Sequence, residues 1–183
     1  MAASPKVVTS PTGKRRTMFI PVGIPGSGKT WIADRLDRAN FMVINQEERR
    51  WSFDTLHRHV LWCATGGTNQ HLYIDSCNHS KKRRRVFANI GLRAGMQVVF
   101  LVFALPVMQC ELNTMARLLR GDPHPSIVDS ASAARSREVI YAGWQNIDFR
   151  EQRYYGGNPA VSYILIEGTG KADELIASLN ARA

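Results

Sequence analysis

The chain predicts an α/β domain: a mostly parallel sheet of about five strands with helices on both faces. Three observations lead there. Apolar, β-type runs alternate with helical spacings along the chain, the pattern of strand–helix–strand crossovers. The first run feeds directly into the glycine-rich stretch "VGIPGSGKTW" (22–31) and then into a helical pattern. Met96 to Leu105 is the most hydrophobic stretch of all, as a central strand covered on both faces must be.

The elements follow in order. Thr17 to Ile24 reads as the first strand, ending in the glycine-rich turn. Ile32 and Leu36, four apart, place a helix over Trp31 to Ala39. "FMVIN" (41–45) is a short strand, and Phe53, Leu56 and Val60 recur at helical spacing until "TGG" (65–67) stops them. "HLYID" (71–75) is the third strand. Ser80 suits an N-cap for a helix whose inner face is Val86, Phe87 and Ile90 and which ends at Gly95. After the central strand, Met108, Leu112, Met115 and Leu119 mark one face of a helix broken by "GDPHPS" (121–126). A polar helix is expected over roughly 130–141, followed by a stretch (143–159) with little pattern beyond the loop "YYGGNP". "VSYILIEG" (161–168) is the last strand, and Leu175, Ile176 and Leu179 mark a closing helix. Residues 1–16 read as a flexible basic lead-in and 17–183 as one domain.

Composition narrows the class. The 183 residues suffice for one domain with a full core. Hydrophobic residues at 44% and charged residues at 21% are ordinary for a soluble globular protein. No apolar run approaches the roughly 20 residues of a membrane span, and the N-terminus lacks the order of a signal peptide. Cys63, Cys77 and Cys110 lack metal spacing and cannot all pair within the chain, so they read as reduced thiols of a cytoplasmic protein. The net charge of +9 favours an anionic partner, nucleic acid among them. No protein partner is indicated.

Gly23-x4-Gly28-Lys29-Thr30 fits G-x-x-x-x-G-K-[ST], with strand before and helix after. Gly23, Gly26 and Gly28 let the backbone turn its N–H groups inward without a Cβ in the way, and Pro25 stiffens the loop. With Ser27, these N–H groups and the helix N-terminus form an anion nest. Lys29 is expected to reach the β- and γ-phosphates of ATP or another nucleoside triphosphate, and the Thr30 hydroxyl to ligate Mg²⁺.

Two further stretches carry polar chemistry. In "IDSCNHSKKRRR" (74–85), Asp75 closes a strand at the edge where a parallel sheet places its crevice, and Asn78 adds a neutral donor and acceptor. The plainer reading of Asp75 is a helix cap. In "VINQEERRW" (43–51), Glu47 or Glu48 supplies a carboxylate able to accept a proton from an attacking hydroxyl. Arg49 and Arg50 supply guanidinium forks for phosphate. Alone, this stretch reads equally as a solvated helix start with acids at the favourable end of the dipole.

Together, the order P-loop, I-N-x-[DE]-[DE]-x-R, D-x-x-N-x-S-x-x-x-R-R resembles the polynucleotide kinase family of P-loop phosphotransferases over residues 18–142, with bacteriophage 5′-kinase domains the members most alike. The resemblance implies a P-loop kinase fold with a small helical lid (about 107–142). It implies ATP and Mg²⁺ as cofactors and a nucleic acid, DNA or RNA, as acceptor. It implies a general base where this chain has Glu47 instead of the family's aspartate, with Glu48 a rival. Asn45, Arg50, Asp75 and Asn78 fall at acceptor-side positions, and Arg117 or Arg120 at the position of lid arginines that clamp the donor phosphates. "EGTGK" (167–171) would pass near the nucleotide base.

The same resemblance leaves the acceptor open. A 5′-hydroxyl at a strand end is the family default. A hydroxymethyl group on a modified pyrimidine such as 5-hydroxymethyluracil within DNA is the alternative, consistent with a phage enzyme acting in the host cytoplasm. A small-molecule kinase or a nucleotide-dependent binding module is the remaining class. "KKRRR" (81–85) sets five cations against a helix dipole, a cost of about 0.3–1 kcal/mol for those in the first turn, which nucleic-acid phosphate would offset. His79 and His124 read as loop residues. Trp31, Trp62 and Trp144 read as core, with Trp51 the best candidate for base stacking.

Overall fold

The computed structural model describes residues 15–78, 80–121, 155 and 157–182. The lead-in 1–14, the polar helix expected near 130–141, the rest of the lid beyond 121, and His79, His124 and Trp144 lie outside the described residues.

Five strands form one sheet: β1 (Thr17–Val22), β2 (Phe41–Asn45), β3 (His71–Asp75), β4 (Gln97–Phe103) and β5 (Val161–Ile166). Their spatial order is β2-β3-β1-β4-β5 and every pairing is parallel. The helices are α1 (Lys29–Ala33), α2 (Phe53–Trp62), α3 (Lys81–Arg93), α4 (Val107–Leu119) and α5 (Thr169–Arg182). The alternation in β1 explains the two layers. Met18, Ile20 and Val22 point to one side and pack with Leu56, Val60, Phe87 and Ile90 of α2 and α3. Phe19 points to the other and packs with Ile32 of α1 and Leu175, Ile176 and Leu179 of α5. Each such fully buried side chain contributes on the order of 1.5–3 kcal/mol. No helix among the described residues is long and apolar enough to cross a membrane.

Several expectations shift. The first helix runs five residues instead of nine: Arg35 and Leu36 donate to Ile32 and Ala33, three residues back, so the chain tightens and turns at once. A π-turn, Cys63–Gly67, extends α2. Arg16, read as part of the lead-in, is packed instead, and the exposed Arg15 beside it donates to Gly95 O at 2.7 Å. Arg16 is fully buried and donates to the carbonyls of Cys63, Ala64 and Gln70 at 2.7, 3.0 and 3.1 Å, tying β1 to the end of α2.

The apolar face of α4 is its outer one. Met108, Leu112, Met115 and Leu119 are 71%, 58%, 42% and 85% exposed. The opposite face, with Cys110 and Thr114, is the buried one. The reason is what α4 rests on: the polar backbone of the glycine-rich loop. That neighbour selects small and polar residues, so apolar periodicity marks the outer face.

Candidate active site

The loop after β1 forms the floor of the site. Gly26 and Gly28 have φ of +77° and +97°, values open to glycine at little cost. A Cβ on Gly26 would strike the Cys110 carbonyl and the Thr114 hydroxyl of α4, and one on Gly23 would meet Ser27 Oγ at 2.5 Å. Asn113 Nδ2 donates to Gly26 O at 2.9 Å, so α4 is fastened to the loop by a hydrogen bond as well as by contact. Gly28 is the N-cap of α1, which leaves the first amides of that helix directed at the loop's concavity. Lys29 is buried; its ammonium donates to Ile24 O at 2.8 Å and Ser27 Oγ at 3.3 Å, folded into its own loop. Tyr73 donates to Lys29 O at 2.8 Å and anchors the start of α1 to β3.

The acid wall stands on the ends of β2 and β3. Asp75 is 3% exposed. Burial pushes its carboxyl up to about 6; Lys29 and the Thr30 side chain pull the other way, and Glu47 and Asp34 add to the rise. Asn45 Nδ2 donates to Asp75 Oδ2 at 3.1 Å, while Asn45 Oδ1 accepts from the amides of Glu47 and Glu48, each at 3.0 Å. Asn45 thus fixes both Asp75 and the turn that carries Glu47. The Cys77 thiol, also pushed up by burial, lies 3.9 Å from Glu47 Oε1, and Cys77 O accepts from Gly23 N at 3.1 Å.

These pieces line one cavity of about 470 Å³. Its walls are the loop from Pro25 to Thr30, the acids Asp34, Glu47 and Asp75, and Asn113, Arg117 and Arg120 of α4. Phe103, Leu105 and Ile166 form an apolar end, next to Gly168 and Thr169 of "EGTGK". So Lys29, Thr30, Glu47, Asp75, Arg117 and Arg120, scattered over ninety residues of sequence, meet in one place.

Other expected site residues do not. Glu48 and Arg50 are exposed and do not line the cavity; Arg50 has φ +50° three residues beyond Glu47. Asn78 is fully buried, and its Nδ2 donates to Pro21 O, Ile74 O and Ser76 O at 2.9, 3.2 and 3.0 Å. Asn78 therefore clamps the chain after β3 to β1 through Nδ2, while its buried Oδ1 has no hydrogen-bond partner among the described residues. Arg84, buried, donates to Asn78 O at 3.0 Å and serves the same clamp. Asn78, expected on the acceptor side, does not line the cavity. Ser80 precedes α3 without a side-chain capping bond.

Asp34 and Asn113 are site residues that sequence reasoning missed. Asp34 lies one turn past Thr30, so helical spacing from the glycine-rich motif could have found it. Asn113 had no local signal, because the apolar stripe on its helix pointed attention to the opposite face.

Among the described residues no cluster of three acidic, histidine or cysteine side chains forms a metal cage. The Thr30 hydroxyl and the Asp75 carboxylate, which line the same cavity, fit Mg²⁺ instead, since that ion takes one or two protein ligands and completes its shell with water and phosphate oxygens.

No family model matches the chain and no curated protein does. Solved structures do. A fungal RNA kinase superposes with a TM-score of 0.63 at 16% identity, covering 90% of this chain and 85% of its own. Kti12 of Chaetomium thermophilum, in complex with ADP-AlF3, gives 0.60 at 13% over 88% and 96%. The Mycobacterium tuberculosis APS kinase CysC, in complex with AMPPNP and APS, gives 0.50 at 16% over 90% and 98%. At these identities the likeness establishes the fold: an all-parallel five-stranded α/β sheet of the P-loop kinase type.

Proposed function

We propose that this chain is an ATP- and Mg²⁺-dependent kinase that transfers the γ-phosphate to a hydroxyl on a nucleic acid. The observation that carries the proposal is the single cavity in which the glycine-rich loop faces Glu47 and Asp75 on one side and Arg117 and Arg120 on another. A pure nucleotide binder needs the loop; it does not need a carboxylate across from it and arginines above it.

The roles follow from position. The loop amides hold the β-phosphate, and Lys29 exchanges its bonds to Ile24 and Ser27 for donor phosphate oxygens. Thr30 and Asp75 would hold Mg²⁺, whose contribution is to neutralise charge between the β- and γ-phosphates. Lining the cavity together with Thr30 and Lys29 supports a place for Asp75 on the donor and metal side, rather than the acceptor role implied by resemblance. Glu47 is the base: the acceptor oxygen forms a bond to the γ-phosphorus, the bridging bond to the β-phosphate oxygen breaks, and the acceptor proton passes to the Glu47 carboxylate. Asn45 orients that carboxylate through the Glu47 amide. Arg117 or Arg120 balances charge as it spreads over the transferring group. Arg50, exposed beyond Glu47, is available to grip a phosphate of an acceptor that extends out of the cavity.

A nucleic-acid acceptor is supported by the net charge of +9, by Lys81 and Lys82 exposed at the start of α3 on the cavity end of the sheet, and by the likeness to an RNA kinase. The test is label transfer from γ-labelled ATP, run in parallel on single strands with a 5′-hydroxyl, on duplexes carrying hydroxymethyluracil, and on free nucleosides. Labelled polymer supports the proposal, and the arm that takes label identifies the hydroxyl. Label on nucleosides alone, or release of free phosphate in every arm, rejects it.

A further inference from the structure

A ladder of rings that the cavity does not use runs along α2, from Trp51 and Phe53, half-buried against the core, to the exposed Trp62. Trp51, four residues past Glu47, meets His59 with ring centroids 4.7 Å apart, and His59 meets Trp62 at 5.8 Å. Arg49 covers the upper end, its guanidinium 4.9 Å from the Trp51 ring. Alongside, Arg83 of α3 lies 4.7 Å over the Phe53 ring, and Phe53 stacks on His57 at 6.4 Å and 19°. The helix starts at the cavity end of the sheet and runs about 15 Å toward the other end, where Arg16 holds the carbonyls of Cys63 and Ala64.

Two features mark this as more than packing. Trp62 is 56% exposed, yet its indole is seated: a Cβ on Gly67 would strike the ring, so one face rests on that glycine while much of the rest stays open to solvent. The surrounding charge is also one-sided. Residues 46–58 and 81–83 hold six cations (Arg49, Arg50, Arg58, Lys81, Lys82 and Arg83) against three acids (Glu47, Glu48 and Asp54). Held aromatic faces interleaved with cations are what unpaired bases and their phosphates recognise together, because every base offers a π-face.

We infer that this face of α2 is a stacking platform for single-stranded nucleic acid, guiding a strand along Trp62, His59 and Trp51 to the Glu47 end of the cavity. The inference rests on the kinase reading only for what happens to the strand end; the binding itself does not depend on it. Burial and the nearby Arg49 charge lower the His59 pKa, which keeps its ring neutral and suited to stacking at neutral pH. A duplex hides the faces of its bases, so the platform discriminates against it.

The experiment measures affinity of the full chain for a labelled oligothymidylate and for a duplex of equal length, without ATP. The single strand is expected to bind more tightly and to quench tryptophan fluorescence. Trp62→Ala should weaken it by about fivefold to about 150-fold, as loss of one stacked base does, with the salt slope unchanged because phosphate contacts remain. Trp62→Phe should restore most of the affinity. Leu61→Ala, at the exposed apolar neighbour, should leave it unaltered. Equal affinity of Trp62→Ala and the parent overturns the inference. So does equal loss in Leu61→Ala, which would mark a general apolar surface for a protein partner, and so does duplex binding as tight as single-strand binding. Strand binding that tracks Trp62 without phosphate transfer keeps the platform and removes the kinase. Transfer to acceptors whose binding ignores Trp62 does the reverse.

Discussion

Asn45 Nδ2 donates to the Asp75 carboxyl at 3.1 Å, joining the end of β2 to the end of β3. That carboxyl is buried and would titrate near 6 in the ligand-free protein. Its folded-state pKa is above the ordinary 3.8, so the folded chain holds a proton that the unfolded chain releases between those values. Stability of the ligand-free protein is therefore greatest below about pH 4 as far as this group is concerned, and falls as pH rises through about 6. Two outcomes follow. In thermal melts at pH 7 without Mg²⁺, Asp75→Asn should be more stable than the parent by roughly 1–2 kcal/mol, the gain trimmed because an amide oxygen is a weaker acceptor for Asn45 than a carboxylate. In kinetics, kcat/KM should fall as pH drops through about 6, because that ratio reports the free enzyme. An unshifted melt, or a kcat/KM that is flat from 5 to 7, contradicts the assignment of Asp75.

Lys29→Met should abolish turnover and keep the fold. Methionine fills the same volume, and the carbonyl that loses the ammonium, Ile24 O, still accepts from Ser27 N at 3.3 Å. Losses of at least about a hundredfold are expected for a donor aimed at developing charge, with a melting temperature within a few degrees of the parent. Retained turnover would remove the loop from the chemistry.

Gly26→Ala combines two penalties. The left-handed backbone costs about 1–2 kcal/mol for a residue with a Cβ, and the methyl would collide with the Cys110 carbonyl and Thr114. The loop and α4 should separate, with a loss of about 2–4 kcal/mol in stability and a larger loss in ATP affinity. Asn113→Ala, which removes only the bond to Gly26 O, should cost about 1 kcal/mol. Calorimetry of ATP binding and thermal melts on both variants check the order.

Much of this site was written locally. The glycine-rich loop is legible because its function demands particular backbone angles and a particular spacing, and the strands are legible because both faces of the sheet are apolar. Met18, Ile20 and Val22 against Phe19 show period two directly. The parts that were not legible depend on what a residue faces. The stripe Met108, Leu112, Met115 and Leu119 has the period of a core face and lies outside, because the helix's contact surface is a polar loop rather than a sheet. Asn78 carries the chemistry of a binding residue but its amide is consumed by three backbone carbonyls that only the folded sheet brings within reach. Arg16 looked like part of a solvated basic run; its partners are 47 to 54 residues away. Between Glu47 and Glu48 the sequence favoured Glu47 and kept Glu48 as a rival; of the two, Glu47 lines the cavity.

The most direct test is therefore Glu47→Gln, assayed with γ-labelled ATP and a single-stranded acceptor bearing a 5′-hydroxyl, beside Glu48→Gln. The parent and Glu48→Gln should label the strand. Glu47→Gln should bind ATP with unchanged affinity and label it at least about a hundredfold more slowly, the scale of a lost general base. Label transfer by Glu47→Gln at the parental rate would contradict the account.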